Sequence, residues 1–130
     1  MAHTQYYPQP GWVEHDAEEI YRNAITVLGA VLERNKTASP VCLSITNQRE
    51  TLVVFDRATG QPMRPAIVWQ CRRGEAICQH LIEAGHEQIV SERTGLKIDT
   101  YFPASKIRWL IENEPAVHAG LHDGQALLGT

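Results

Sequence analysis

The sequence predicts an α/β domain. Short apolar runs alternate with segments of helical period, Gly and Pro punctuate the joins, and 130 residues suffice to bury one core. Residues 3–13 are rich in Pro, Tyr and Gln; Pro8 and Pro10 make them extended, and Gly11 adds a turn before Trp12. A helix is expected after Asp16, a good N-cap, with Glu18 and Glu19 suited to the positive end of its dipole. Ile20, Ala24, Val27, Leu28 and Val31 recur at helical spacing and predict one buried face, fading by Asn35. Residues 41–46 read as a buried strand, continuous rather than alternating. Residues 51–55 form a second strand. A turn over residues 56–60 follows, with Gly60 able to take positive φ, and residues 66–69 are the return arm of a hairpin.

Residues 72–84 change to helical period, with Ile77, Leu81 and Ile82 on one face and Gly85 as the stop. A shorter helix over residues 87–93 ends at Gly95. Pro103 suits the first turn of another, in which Ala104, Ile107, Leu110 and Ile111 face inward until Pro115. Residues 116–122 add a turn or two of helix, and residues 126–128 begin a strand. There is no internal repeat and no low-complexity linker.

Composition removes several classes of function. A net charge of −3 with mixed signs leaves no basic footprint, so nucleic acid is not an expected partner. The longest apolar stretch, residues 24–32, is interrupted by Thr26 and Gly29 and is too short to span a bilayer. The start lacks a basic segment followed by an apolar one, so no signal peptide is read. Cys42, Cys71 and Cys78 show no CxxC spacing and read as reduced thiols of a cytoplasmic protein.

The chemistry concentrates at a few positions. Arg49 and Glu50 stand side by side where one strand pattern ends and the next begins. They are either a surface ion pair of little energy or, since α/β proteins bind ligands at strand ends, the donor and acceptor set of a polyol site. Trp69 closes a strand and is either core or an aromatic wall against the carbon edge of a polyol. Tyr101 precedes Phe102 and Pro103 at a helix entrance; its phenol either caps a backbone group or meets a ligand hydroxyl. His118 and His122 share a helix face beside Asp123, but without the Glu of H-E-x-x-H they read as a solvated face rather than a metal site. His15 reads as a residue of the helix entrance, and Cys71 as packing or a free thiol. Neither G-x-G-x-x-G nor G-x-x-x-x-G-K-[ST] occurs, so no phosphate loop is present.

Five stretches carry a resemblance: PQPGWVEHD from Pro8, ITNQRET from Ile45, AIVWQCRR from Ala66, TGLKIDTYF from Thr94 and SKIRWL from Ser105. In this order and spacing the chain resembles the glycerol kinases of the FGGY carbohydrate kinase family over nearly its whole length. PGWVEHD is shared in part with other sugar kinases, whereas ITNQRET and IVWQCRR together point to the glycerol branch. Pro103 stands where the family often has Ser, and Phe55 where Trp is common.

The resemblance implies a partial ribonuclease-H-like domain of the actin-like ATPase superfamily, with a mixed sheet and flanking helices. It implies that Arg49 and Glu50 hydrogen-bond glycerol hydroxyls, that Trp69 packs on the glycerol carbons and that Tyr101 contacts a hydroxyl. The implied reaction takes ATP and glycerol to ADP and sn-glycerol 3-phosphate, with Mg²⁺ neutralising phosphate charge. The family's D-x-G-T-T/S phosphate turn lies upstream of YPQPGW, and its catalytic Asp and most of its adenosine pocket lie downstream. Residues 1–130 are therefore expected to be part of the N-terminal domain, without the first phosphate-binding strand and turn and without the C-terminal domain. No catalytic, nucleotide-binding or metal-binding residue is expected in the chain, nor tight binding of ATP or Mg²⁺. By itself it is expected to be inactive and, with an exposed sheet edge, prone to self-association. The whole enzyme is expected to be a cytoplasmic homo-oligomer. Two alternatives remain: another FGGY kinase acting on a pentulose, gluconate or erythritol, and a non-catalytic polyol-binding or interaction module.

Overall fold

The computed structural model describes residues 1–37 and 39–130. Strands β1 (Gln5–Tyr6) and β2 (Glu14–His15) pair antiparallel around the turn at Gly11, where φ is +77°. Helix α1 (Ala17–Arg34) follows at once. Asp16 is its N-cap: Oδ1 accepts from the backbone N–H groups of Glu18 (2.9 Å) and Glu19 (3.2 Å), satisfying two of the orphan donors.

Strand β3 (Val53–Asp56) ends in a turn built by its last residue. Asp56 Oδ1 accepts from the N–H groups of Ala58 and Thr59 and from the Thr59 hydroxyl, and Gly60 takes φ +72°. The chain returns to β4 (Ala66–Ile67), which pairs antiparallel with β2, so the first sheet has the order β1-β2-β4. Leu52 and Ile67 exchange both backbone hydrogen bonds at 2.9 Å and join this sheet to β3. Strand β5 (Ala126–Gly129) lies antiparallel beside β3, from Val53 opposite Gly129 to Asp56 opposite Ala126.

Between β4 and β5 run four helices: α2 (Glu75–Glu83), α3 (Glu87–Thr94), α4 (Pro103–Asn113) and α5 (Pro115–His122). Left-handed Gly95 ends α3, and Pro103 and Pro115 open α4 and α5 at first-turn positions, where a missing N–H costs nothing. Gly74, before α2, presses on α4: a Cβ there would meet Ser105 Oγ at 2.6 Å and the Ser105 carbonyl carbon at 3.1 Å. The core is Val13, Leu52, Val54, Ile67, Val68, Cys71, Leu110, Val117 and Ala126.

Three expectations are corrected. Residues 41–46 form no strand; Val41 is 97% exposed, Leu43 67% and Ile45 83%. A continuous apolar strand needs ladder partners, and the pairings found among the described residues all use other segments. The apolar face of α1 is consequently not buried. Ile20, Ala24 and Leu28 instead line an open cleft of about 630 Å³ facing Leu43, Ile45 and Val53. In α4, Ala104 is exposed while Ser105 and Lys106 are buried beside Leu110.

Candidate functional site

Trp69 and Tyr101 come together. The strand exit after β4 carries Trp69 and the loop before α4 carries Tyr101, and their rings meet edge to face at 5.7 Å and 64°. Both stay more than a third exposed, Trp69 at 38% and Tyr101 at 36%, on a cavity of about 440 Å³ shared with Lys97, Asp99 and Thr100. An exposed aromatic pair with polar groups around it presents an apolar wall and hydrogen-bonding edges together.

Glu50 and Arg49 lie in the turn leading to β3. Thr51, next in sequence and buried, ties this turn to the Trp69 segment: its Oγ1 accepts from the Trp69 N–H at 3.3 Å. Glu50 is half-buried and takes φ +63°, the left-handed region in which a side chain is disfavoured. Strain of this kind persists only where the surroundings hold it, and it collects at binding sites. Glu50 also lines a largely apolar cavity of about 510 Å³ with Asp99, Phe102 and Ser105. Arg49 is exposed and makes no side-chain hydrogen bond or ion pair among the described residues.

The loop that presents Tyr101 is fastened on both sides of its peptide. The Tyr101 N–H donates to Asp99 Oδ1 at 2.8 Å, while Asp99 Oδ2 takes Lys97 Nζ at 2.9 Å. From below, the buried Lys106 ammonium donates to the carbonyl oxygens of Thr100 (2.6 Å), Tyr101 (2.7 Å) and Phe102 (3.2 Å). Burial pulls the Lys106 ammonium below its ordinary value, against the charges of Cys71, Glu50, Cys78 and Asp99, which favour the cation. Sequence reasoning missed Lys106, because a lysine on a helix is read as solvent-facing. The one available signal was its position four residues before Leu110, on the same face.

A second set of charges fixes the strand exit. Glu14 Oε1 accepts from Arg73 Nη2 and Arg64 Nη2, each at 2.6 Å, and Arg64 Nη1 donates to Glu114 Oε1 at 2.8 Å. The Arg73 guanidinium lies 4.1 Å from the Trp12 ring centroid and 5.0 Å from that of Trp109. Burial, then the charge of Arg73, hold Arg64 below its ordinary value, opposed by Glu114 and Glu14.

With this geometry in view, the comparisons with known proteins decide the family. The N-terminal domain of the FGGY family of carbohydrate kinases matches residues 1–128. The chain belongs to the FGGY carbohydrate kinases. Among its FGGY relatives it is 54% identical over 129 residues to a glycerol kinase of Halorhodospira halophila, covering 98% of this chain and 25% of that protein. It is 45% identical over 130 residues to glycerol kinase 1 of Thermotoga maritima, covering 98% of this chain and 26% of that protein. The chain thus spans about a quarter of the length of the curated relatives it matches. The crystal structure of Plasmodium falciparum glycerol kinase with ADP superposes with a TM-score of 0.94 at 36% identity, over 100% of this chain and 26% of that one. A xylulose kinase of Rhodospirillum rubrum follows at TM-score 0.82 and 26% identity, over 90% of this chain and 25% of that one. Both likenesses agree with the expected actin-like, ribonuclease-H-like class.

The remaining FGGY candidates have simple places. His118 and His122 are exposed, and His122 Nδ1 lies 3.0 Å from Asp123 Oδ1. His15 is buried just before the N-cap, with His3 edge-on at 4.5 Å; burial, then the His3 charge, lower its pKa from 6.5. Cys71 and Cys78 are buried free thiols and Cys42 an exposed one. Among the described residues no three His, Cys, Asp or Glu side chains form a group that could hold a metal, and no helix is long and apolar enough to cross a membrane.

Proposed function

We propose that this chain is the acceptor-binding portion of a glycerol kinase, whose whole enzyme transfers the γ-phosphoryl group of ATP to glycerol to give sn-glycerol 3-phosphate. The observation that carries the reading is the convergence of three segments. The Trp69 and Tyr101 rings meet at 5.7 Å, Thr51 Oγ1 binds the Trp69 N–H, and Glu50, beside Thr51, keeps a left-handed backbone. The level of identity to glycerol kinases supports it further.

Glycerol presents carbon edges and three hydroxyls, each a donor and an acceptor. In this reading Trp69 covers the carbons, Tyr101 meets one hydroxyl, and Arg49 and Glu50 donate to and accept from the others. Fixing the acceptor in one orientation is the part of catalysis these residues supply. In this reading ATP and Mg²⁺ are held by residues other than those placed here; among the described residues no three His, Cys, Asp or Glu side chains form a group that could hold a metal. No step is therefore assigned through them. A cytoplasmic location accords with three free thiols, and a homo-oligomeric whole enzyme with the family resemblance.

The test is a chimera in which this chain replaces the matching stretch of the Halorhodospira halophila relative. The chimera is expected to phosphorylate glycerol in preference to xylulose, gluconate and erythritol, with R49A and E50Q raising the KM for glycerol. Faster turnover of a pentulose or gluconate would overturn the assignment. The 130-residue chain alone is expected to make no glycerol phosphate from ATP.

A further inference from the structure

We infer that Lys106 is a positioning residue of the acceptor site, holding the Tyr101 loop in the register that sets its phenol against Trp69. This rests on the glycerol-kinase reading above. The lysine is fully buried in α4, yet its ammonium meets three successive carbonyl oxygens, those of Thr100, Tyr101 and Phe102, at 2.6, 2.7 and 3.2 Å. Three donors meet three acceptors, so the group is saturated. Without the cation the three carbonyls would lose their common donor, and the loop would be free to turn at least one of them away. The peptide of Tyr101 has its N–H fixed separately by Asp99 Oδ1 at 2.8 Å. That N–H shares its peptide plane with the Thr100 carbonyl, so release of this carbonyl by Lys106 would leave the unit free to rotate about the Asp99 anchor.

The placement of Lys106 also answers why a costly buried cation stands there. A Leu or Met would continue the apolar face that Leu110 occupies, at no desolvation cost, but would offer the loop no donor. Lys106 thus ties α4 directly to the Tyr101 loop through three hydrogen bonds. An arginine cannot substitute: its planar fork does not bring three donors onto one convergent set of carbonyls.

The experiment uses the active chimera and reads KM for glycerol and for ATP in K106M, K106R, Y101F and K106M/Y101F. Displacing a positioned group by about 1 Å can cost up to about a hundredfold, so K106M is expected to raise the glycerol KM about tenfold or more. The ATP KM is expected to stay within about twofold, because uniform loss of fold would move both. Since Lys106 acts through Tyr101, K106M is expected to add little on top of Y101F, a non-additivity that a merely structural lysine would not produce. K106R, which keeps the charge, is expected to show the same selective rise and decides the matter if K106M does not fold. An unchanged glycerol KM in the folded variants, or equal rises for glycerol and ATP, would overturn the inference. If the unsubstituted chimera prefers another polyol, the glycerol reading fails, and the same KM comparison with that polyol still decides the role of Lys106.

Discussion

Arg73 and Glu14, 59 residues apart, meet at 2.6 Å inside the fold, and Arg73 lies over Trp12 with its side chain fully buried. The pair joins β2 to the chain two residues beyond Cys71, close to where Trp69 leaves the sheet. Glu14 also receives Arg64, so one carboxylate oxygen accepts from two cations. Removing the anion strands Arg73 and leaves Arg64 with Glu114 alone. E14Q is expected to destabilise by about 3 kcal/mol or more, the usual cost of breaking a buried pair from one side. The E14Q/R73M double variant is expected to lose less than the sum of the single losses, because the orphaned charge leaves with its partner. Urea midpoints for the four proteins close the cycle.

That pair also shows where sequence reading stops. The Asp16 cap, the Asp56 turn with Gly60, the Gly95 stop and Pro103 were legible because each is set by chemistry within four residues. Trp69 and Tyr101 could be named as candidates, but their contact depends on a fold that brings residues 32 apart together. Residues 41–46 were misread because apolar content signals a wish for burial and says nothing of who supplies the hydrogen bonds. Glu50's positive φ had no signal, since that conformation is ordinarily a property of Gly or Asn. Lys106 was passed over because its acceptors are backbone carbonyls, which no side-chain pattern reveals.

The strain at Glu50 gives a second prediction. A left-handed backbone costs a side-chain-bearing residue roughly 1–2 kcal/mol. Glycine removes that cost, while its extra freedom in the unfolded chain takes back about 0.4–1 kcal/mol. E50G is therefore expected to be neutral or up to about 1.6 kcal/mol more stable, while glycerol binding is lost with the carboxylate. Thermal melts and a glycerol KM, both measured on the chimera, separate the two effects. A clear loss of stability would mean that the carboxylate holds the turn through contacts of its own rather than waiting for a ligand.

Acid should weaken the fold in two steps. His15 is held below 6.5 by burial and then by His3, with Gln48 and Glu19 opposing. As pH falls below 6.5 the unfolded chain takes up this proton first, so stability declines there. Asp56 and Asp99 titrate below 3.8, Asp56 through hydrogen bonds from Thr59 and Asp99 through Lys97 and then the Tyr101 N–H. A depressed carboxylate contributes stability above 3.8 and loses it as pH falls through the folded value. H15N is expected to flatten the first step, and D56N the second. Urea midpoints measured from about pH 7 down to about pH 2 check both; a D56N deficit that persists undiminished at the acid end would contradict the assignment.

The last prediction concerns the apolar face of α1. None of its residues is buried; Ile25, Val27, Leu28, Val31 and Leu32 are exposed, as are Val41, Leu43 and Ile45, and Ile25 and Leu28 share a cleft with Leu43 and Ile45. Exposed apolar side chains clustered on one helix face favour association in water. The 130-residue chain is expected to self-associate, with an apparent mass in light scattering that rises with concentration. L28E/V31E is expected to lower that mass without moving the urea midpoint, because both side chains already face solvent and lose no core contact. If association persists in L28E/V31E, residues 41–45 are the adhesive part, and V41K/I45K is then expected to suppress it. A wild-type chain that stays monomeric across the concentration range would mean that the exposed face is too broken by Arg22, Asn23 and Thr26 to bind a second copy.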